Sequence, residues 1–245
     1  MIRPSLTPVR DELPQAGRCT DDGLAVVDCA APHEAEVVGV GGLDGMSGGL
    51  PTDVDLRKAA LPGCRTAVTS YLGSPDHDAT RLQARVFWPS RDGWARGDRW
   101  VLCTVVEVRP DGVVVKRSGS AKDLLKAAGF PTVQLCAEGS PAKDDSLKPT
   151  TCDRTHLAEA VPGVVGLGVV TDPVPSKDEV DTIVKSRCAT AVRGYLNADR
   201  PDVIASWRTF GEQGWAEGFT TAVCYAEASR PFTGTLWGIG TKPLP

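Results

Sequence analysis

The chain has 245 residues, with 41% hydrophobic residues, 24% charged residues and a formal net charge of −4. This is the composition of a globular chain long enough to bury one or two cores. No basic run is present, which makes nucleic acid and anionic membrane poor partners, and no apolar run approaches the ~18 residues of a membrane span. Eight cysteines point to an oxidising compartment, yet Met1-Ile2-Arg3-Pro4 leads into a polar stretch without the apolar centre of a signal peptide. The expectation is therefore that a signal, lipid anchor or membrane helix lies upstream of this chain.

Residues 1–16, with prolines at 4, 8 and 14, read as a tail or tether. Leu24–Cys29 reads as a short strand after an Asp21-Asp22-Gly23 turn, so Cys19 and Cys29 flank a hairpin. Glu34–Val40 is a second strand, and the glycines of 41–51 read as a loop. Asp53–Leu72 is helical, with Asp53 or Asp55 as cap. Leu61-Pro62-Gly63 is expected to split it in two. Leu82–Trp88 and Arg99–Val108 are strands. Pro110-Asp111-Gly112 turns the chain back through Val113–Lys116. In the second half, Ser176 followed by Glu179 is a capping-box signature, and a helix is expected over about Lys177–Leu196. His77, which has no counterpart elsewhere, reads as a loop residue.

The two halves repeat one another. Cys19, Cys29, Cys64 and Cys103 are answered by Cys136, Cys152, Cys188 and Cys224, and His33 and Glu36 by His156 and Glu159. Tyr71-Leu72 is answered by Tyr195-Leu196, Trp94 by Trp215, and Gly119-Ser120 by Gly234-Thr235. Mixed residue types held in step mark a duplication. The fold expected is α+β: two tandem homologous disulfide-stapled domains, residues 17–127 and 130–245, each a small antiparallel sheet packed with one main helix.

Within each copy the favoured pairing joins first with second cysteine and third with fourth: Cys19–Cys29, Cys64–Cys103, Cys136–Cys152 and Cys188–Cys224. Zinc and free thiols are the rivals, because Cys-x₃-His occurs in both copies and both residues ligate zinc. The spread of the other cysteines argues against a structural zinc site, and no metal or cofactor is expected. Each His with its Glu reads first as a local hydrogen-bonded pair and next as a surface recognition element. As an acid–base pair it lacks an accompanying nucleophile or oxyanion motif. Trp94, Trp215, Tyr71 and Tyr195 read as core anchors. Candidate recognition residues are His33, Glu36, Trp88, Arg99, Trp100, His156, Glu159 and Trp237.

Taken together, Cys…Val27-Asp28-Cys29, His33, Glu36, Val38, Cys64, Tyr71, Trp88-Pro89, Trp94, Gly97-Asp98-Arg99, Cys103 and Gly119-Ser120 resemble the septum-formation domain family of actinobacterial envelope proteins. So do their second-half counterparts Cys136, Cys152, His156, Glu159, Val161, Cys188, Tyr195, Trp215, Gly218, Cys224 and Gly234-Thr235. The second half departs at Phe210, where Pro89 sits in the first, and at Thr220, where Arg99 sits. The resemblance implies an extracytoplasmic, anchored protein linked to division or envelope maintenance, and it supplies no reaction.

The reading favoured is a non-enzymatic binding or scaffold module whose partner is an envelope or division protein or a cell-wall component. The first alternative is a carrier of a small apolar ligand in a pocket between the copies lined by Trp100 and Trp237. The second is a hydrolase using His33 and Glu36.

Overall fold

The computed structural model describes residues 13–43, 45–126 and 128–245. The expected tail falls on residues 1–12, outside the described residues, except for its last four. Of those, Leu13 is buried against Leu24, Val37, Trp100 and Leu102. Apolar packing thus extends the first core beyond the boundary expected from proline content.

The chain forms two compact units. One comprises residues up to 73 with 83–107 and 114–124, and the other 74–82, 108–113 and 125–245. The first unit carries β1 (Cys19–Thr20), β2 (Val26–Val27), β3 (Ala35–Gly42), α1 (Asp53–Leu72), most of β4 (Leu82–Phe87), α2 (Arg91–Ala95), β5 (Trp100–Val108) and β6 (Val114–Val115). Its sheet runs β2-β1-β3-β5-β4, with β6 beside β5. Of the glycines expected to form a loop, the first two, Gly41 and Gly42, continue β3 by pairing with Val101 and Trp100, and the loop begins after them. Backbone hydrogen bonds to β5 supply the strand without help from side chains.

Helix α1 is unbroken through Pro62, contrary to the expected split. Leu56, Ala60 and Leu61 before the proline and Cys64, Arg65, Val68 and Leu72 after it share one buried face. Cys64 is bridged to Cys103 on β5. Packing on both sides outweighs the one backbone hydrogen bond that proline removes. The cap is Thr52, not an aspartate: its hydroxyl accepts from Asp55 N and donates to Asp55 Oδ2.

The second unit begins with residues 74–82, where the 3₁₀ turn Pro75–Ala79 buries His77 against Asp78. His77 is therefore an interior residue and not a loop residue. The turn is fixed by Asp76, whose Oδ1 accepts from Gly163 N and Val164 N, and by Asp78, which accepts from Thr221 Oγ1. These ties lie far apart in sequence and have no local signature.

There follow α3 (Phe130–Val133), β7 (Cys136–Ala137), β8 (Pro149–Thr150), β9 (His156–Ala160), β10 (Val165–Gly166), α4 (Lys177–Leu196), β11 (Val203–Arg208), α5 (Gly211–Ala216) and β12 (Thr221–Phe232). The sheet order is β10-β12-β9-β7-β8, with β11 paired to β12. Helix α4 starts at Ser176 with a full capping box and ends at Asn197 in the left-handed conformation. Val180, Val184, Cys188, Val192 and Leu196 point it into a core with Val203, Cys224, Ala226 and Leu236.

Four disulfides cross-link the chain: Cys19–Cys29, Cys64–Cys103, Cys136–Cys152 and Cys188–Cys224, each with Cα atoms 5.1–5.2 Å apart. Two of them staple the short hairpins, and two tie the long helices to the central strands. Among the described residues no helix is long and apolar enough to cross a membrane.

Candidate functional site

Each unit holds a buried polar node around one glutamate. In the first, His33 stands just before β3 and Glu36 lies on it, both only 1% exposed. Glu36 Oε1 accepts from Ala121 N at 2.6 Å. Its Oε2 accepts from Tyr71 Oη and from Ser120 Oγ, both at 2.8 Å. His33 Nε2 lies 3.3 Å from Glu36 Oε1, and Nδ1 lies 2.9 Å from Ala31 O. A carbonyl oxygen can only accept, so Nδ1 carries a hydrogen. The Nε2–Oε1 contact then needs a second proton between the two atoms. Three further donors converge on the carboxylate, and Arg117 Nε lies 3.7 Å from the same oxygen.

The second unit has the same chemistry. Glu159 accepts from Tyr195 Oη at 2.6 Å and from Leu236 N at 3.0 Å. His156 Nε2 lies 3.3 Å from Glu159 Oε1, and Nδ1 lies 2.6 Å from Arg154 O. Gln134 adds a tie that the sequence did not signal: its amide donates to Ala160 O and to Tyr195 Oη. The T-shaped contact of His156 with Phe232, 4.3 Å between centroids, closes the other side.

Each node fastens three elements: a strand through Glu, the last turn of the long helix through Tyr, and the Gly-Ser/Thr segment through its hydroxyl or backbone N–H. Desolvation pushes the Tyr71 phenol up to about 12, and burial with the Glu159 charge pushes Tyr195 higher still. Both phenols are therefore neutral donors.

Burial overturns part of the recognition set. His33, Glu36, His156 and Glu159 are interior, and so is Trp100, 1% exposed in the first core. None of the five can meet a partner at the surface, and Trp100 is unavailable to line a ligand pocket. The hydrolase alternative needs an imidazole and a carboxylate open to a cleft, and His33 with Glu36 offers none.

Arg99 is half-buried and structural. Its guanidinium stacks 3.7 Å over the Trp94 ring and donates to Met46 O, Trp94 O and Asp98 O. Trp94 Nε1 donates in turn to Gly48 O, so the pair pins the glycine-rich loop after β3. In the second unit Trp215 Nε1 pins Asp172 O. In the same unit the Phe210 and Phe219 rings lie 4.7 Å apart, tilted by 39°.

Trp88 is partly exposed. Trp237 is the open member of the set, 45% exposed, with its ring 5.3 Å from Tyr195 and 6.4 Å from Phe130. The second unit also carries an open groove of about 550 Å³ lined by Leu167, Pro173, Val174, Pro175, Thr182 and Ile183, with the acidic Asp178 and Glu179 also on its wall. Sequence reasoning missed it, although the Pro173-Val174-Pro175 run was its visible sign.

These features define an α+β protein stapled by four disulfides and organised around two buried His–Glu–Tyr nodes. The sequence profile described as septum formation matches residues 13–224, and the chain belongs to that family. It is also similar to the uncharacterized membrane proteins Rv3835 and MT3943 of Mycobacterium tuberculosis, strains H37Rv and CDC 1551. Identity to each is 25% over 186 residues, covering 72% of this chain and 41% of theirs. The chain thus spans about two-fifths of the length of these relatives. No solved structure matches it.

Proposed function

We propose that the chain is a non-enzymatic, extracytoplasmic module of the cell envelope, made of two copies of one disulfide-stapled unit, that binds an envelope or division protein or a cell-wall component. The observation that carries this reading is the burial of both His–Glu pairs, whose hydrogen-bonding capacity is taken up by the fold itself. Four bridges suit an oxidising compartment. Family membership and the membrane proteins it resembles support an envelope role. Matching nodes, bridges and helix–strand ties in the two units support duplication.

On this reading partners are met at the surface, where Trp237 and Phe210 are the exposed aromatics of the second unit. The test is chemical crosslinking of the disulfide-intact chain to isolated cell envelopes. A discrete adduct that Trp237→Ala or Phe210→Ala weakens at least tenfold is the expected result. No adduct, or adducts indifferent to both substitutions, would overturn the reading.

A carrier reading placed elsewhere than between the copies, in the second unit's own groove at Leu167, Val174 and Ile183, draws its support from that groove. Saturable uptake of an apolar fluorophore that Ile183→Asp abolishes would favour it over the scaffold.

A further inference from the structure

Beside each node lies a cysteine sulfur. Cys19 Sγ, one His33 ring nitrogen and one Glu36 oxygen all lie within 4.8 Å of one another, and Cys136, His156 and Glu159 repeat the arrangement. All six residues are buried. We propose that each node is a latent zinc site, formed when the hairpin disulfide at its edge is open.

Three features of the geometry suit the metal. First, each Nδ1–H is held by a backbone carbonyl, the outer-shell contact that fixes an imidazole with Nε2 as ligand. Second, two ligand atoms bound tetrahedrally to zinc at 2.0–2.1 Å lie roughly 3.3 Å apart. The Nε2–Oε1 distance is 3.3 Å in both nodes. Zinc would therefore replace the proton between these atoms with little movement of either side chain. Third, opening the bridge frees a fourth ligand, Cys29 or Cys152. Its Cα is 5.2 Å from that of its partner, and its partly exposed position gives the ion a way in. The resulting set is two thiolates, one imidazole and one carboxylate.

The chemistry balances. An external dithiol exchanges with the Cys19–Cys29 bridge and leaves as its own disulfide, while the Sγ–Sγ bond breaks and each cysteine takes up one proton. Zinc then displaces both thiol protons and the proton shared by His33 and Glu36, releasing three to solvent. The same holds at Cys136–Cys152.

The test uses the full chain with its two hairpin bridges opened by a phosphine under native conditions, which reaches the partly exposed Cys29 and Cys152 before the buried Cys64–Cys103 and Cys188–Cys224 bridges, as peptide mapping checks. Dialysis against zinc with metal analysis should give two ions per chain. Cobalt substitution should give a thiolate charge-transfer band, and the disulfide-intact chain should bind neither metal. Adding His33→Gln or His156→Gln should halve the stoichiometry or weaken one site about 10–100-fold. Near-ultraviolet circular dichroism follows folding in parallel, and zinc-dependent recovery of a native spectrum would also support the proposal. A folded chain with both hairpin bridges open and no metal bound would overturn it. So would metal uptake indifferent to both histidine substitutions, or an opened chain that unfolds and that zinc does not restore.

Discussion

The phenol of Tyr195 donates to Glu159 Oε2 at 2.6 Å across 36 residues of sequence, and Tyr71 donates to Glu36 Oε2 at 2.8 Å across 35. In both units this bond locks the last turn of the long helix to a buried strand carboxylate. The carboxylate is the hub and the phenol one of its spokes, so the two residues differ in what their removal does. Glu159→Ala leaves His156 Nε2, Tyr195 Oη and Leu236 N without their shared partner in the interior and should destabilise the chain by about 3–5 kcal/mol. Tyr195→Phe removes one hydrogen bond to a charged acceptor and should destabilise by about 1.5–3 kcal/mol. Urea unfolding of both variants checks the order, and Tyr195→Phe proving the more damaging would contradict the hub assignment.

The tyrosines also set an alkaline limit. The chain has three, and burial raises all of them: Tyr71 to about 12, Tyr195 and Tyr225 beyond it. The folded state therefore holds the phenolic protons more tightly than the unfolded chain, whose phenols ionise near 10. Stability should be level in this respect below pH 10 and should fall as pH rises from 10 toward 12. Phenolate absorbance should stay flat through pH 10 and then rise together with loss of near-ultraviolet circular dichroism. A gradual rise centred at 10 in the folded protein would mean that the phenols are not held as described.

The disulfides should contribute unequally. The helix-to-strand bridges close 39 and 36 residues, and the hairpin bridges close 10 and 16. On loop entropy alone, removing Cys64–Cys103 should cost about 1 kcal/mol more than removing Cys19–Cys29. Paired Cys→Ser variants measured by thermal unfolding test the ranking. Peptide mapping of the oxidised chain should return only these four bridges.

Pro62 offers a stabilising substitution. It sits inside α1, half-buried, four residues after the exposed Lys58 whose carbonyl it cannot pair. Pro62→Ala restores that bond and should raise stability by about 1–3 kcal/mol. A loss of stability would show that the proline ring, not helix continuity, is what packing selects there.

Much of this protein was written locally. The Ser176–Glu179 capping box and the apolar stripe through Val180, Val184, Cys188 and Val192 determine α4, because both depend on contacts within a few residues. The alternation of β4, the β-rich run of β5, and the His-x₂-Glu spacing that brings Nε2 to the carboxylate are likewise short-range. Tertiary structure decided what local pattern could not. Continuity of α1 through Pro62 depends on a core and a bridge to β5, both distant in sequence. Burial separated His33, Glu36, His156, Glu159 and Trp100, which cannot meet a partner, from Trp237, which can. The sequence set out the residue types of each node, but only folding brought Tyr71 and Ser120, or Tyr195 and Leu236, onto one carboxylate. A buried charge is stable only when donors from several elements converge on it, and that convergence is a property of the packed chain.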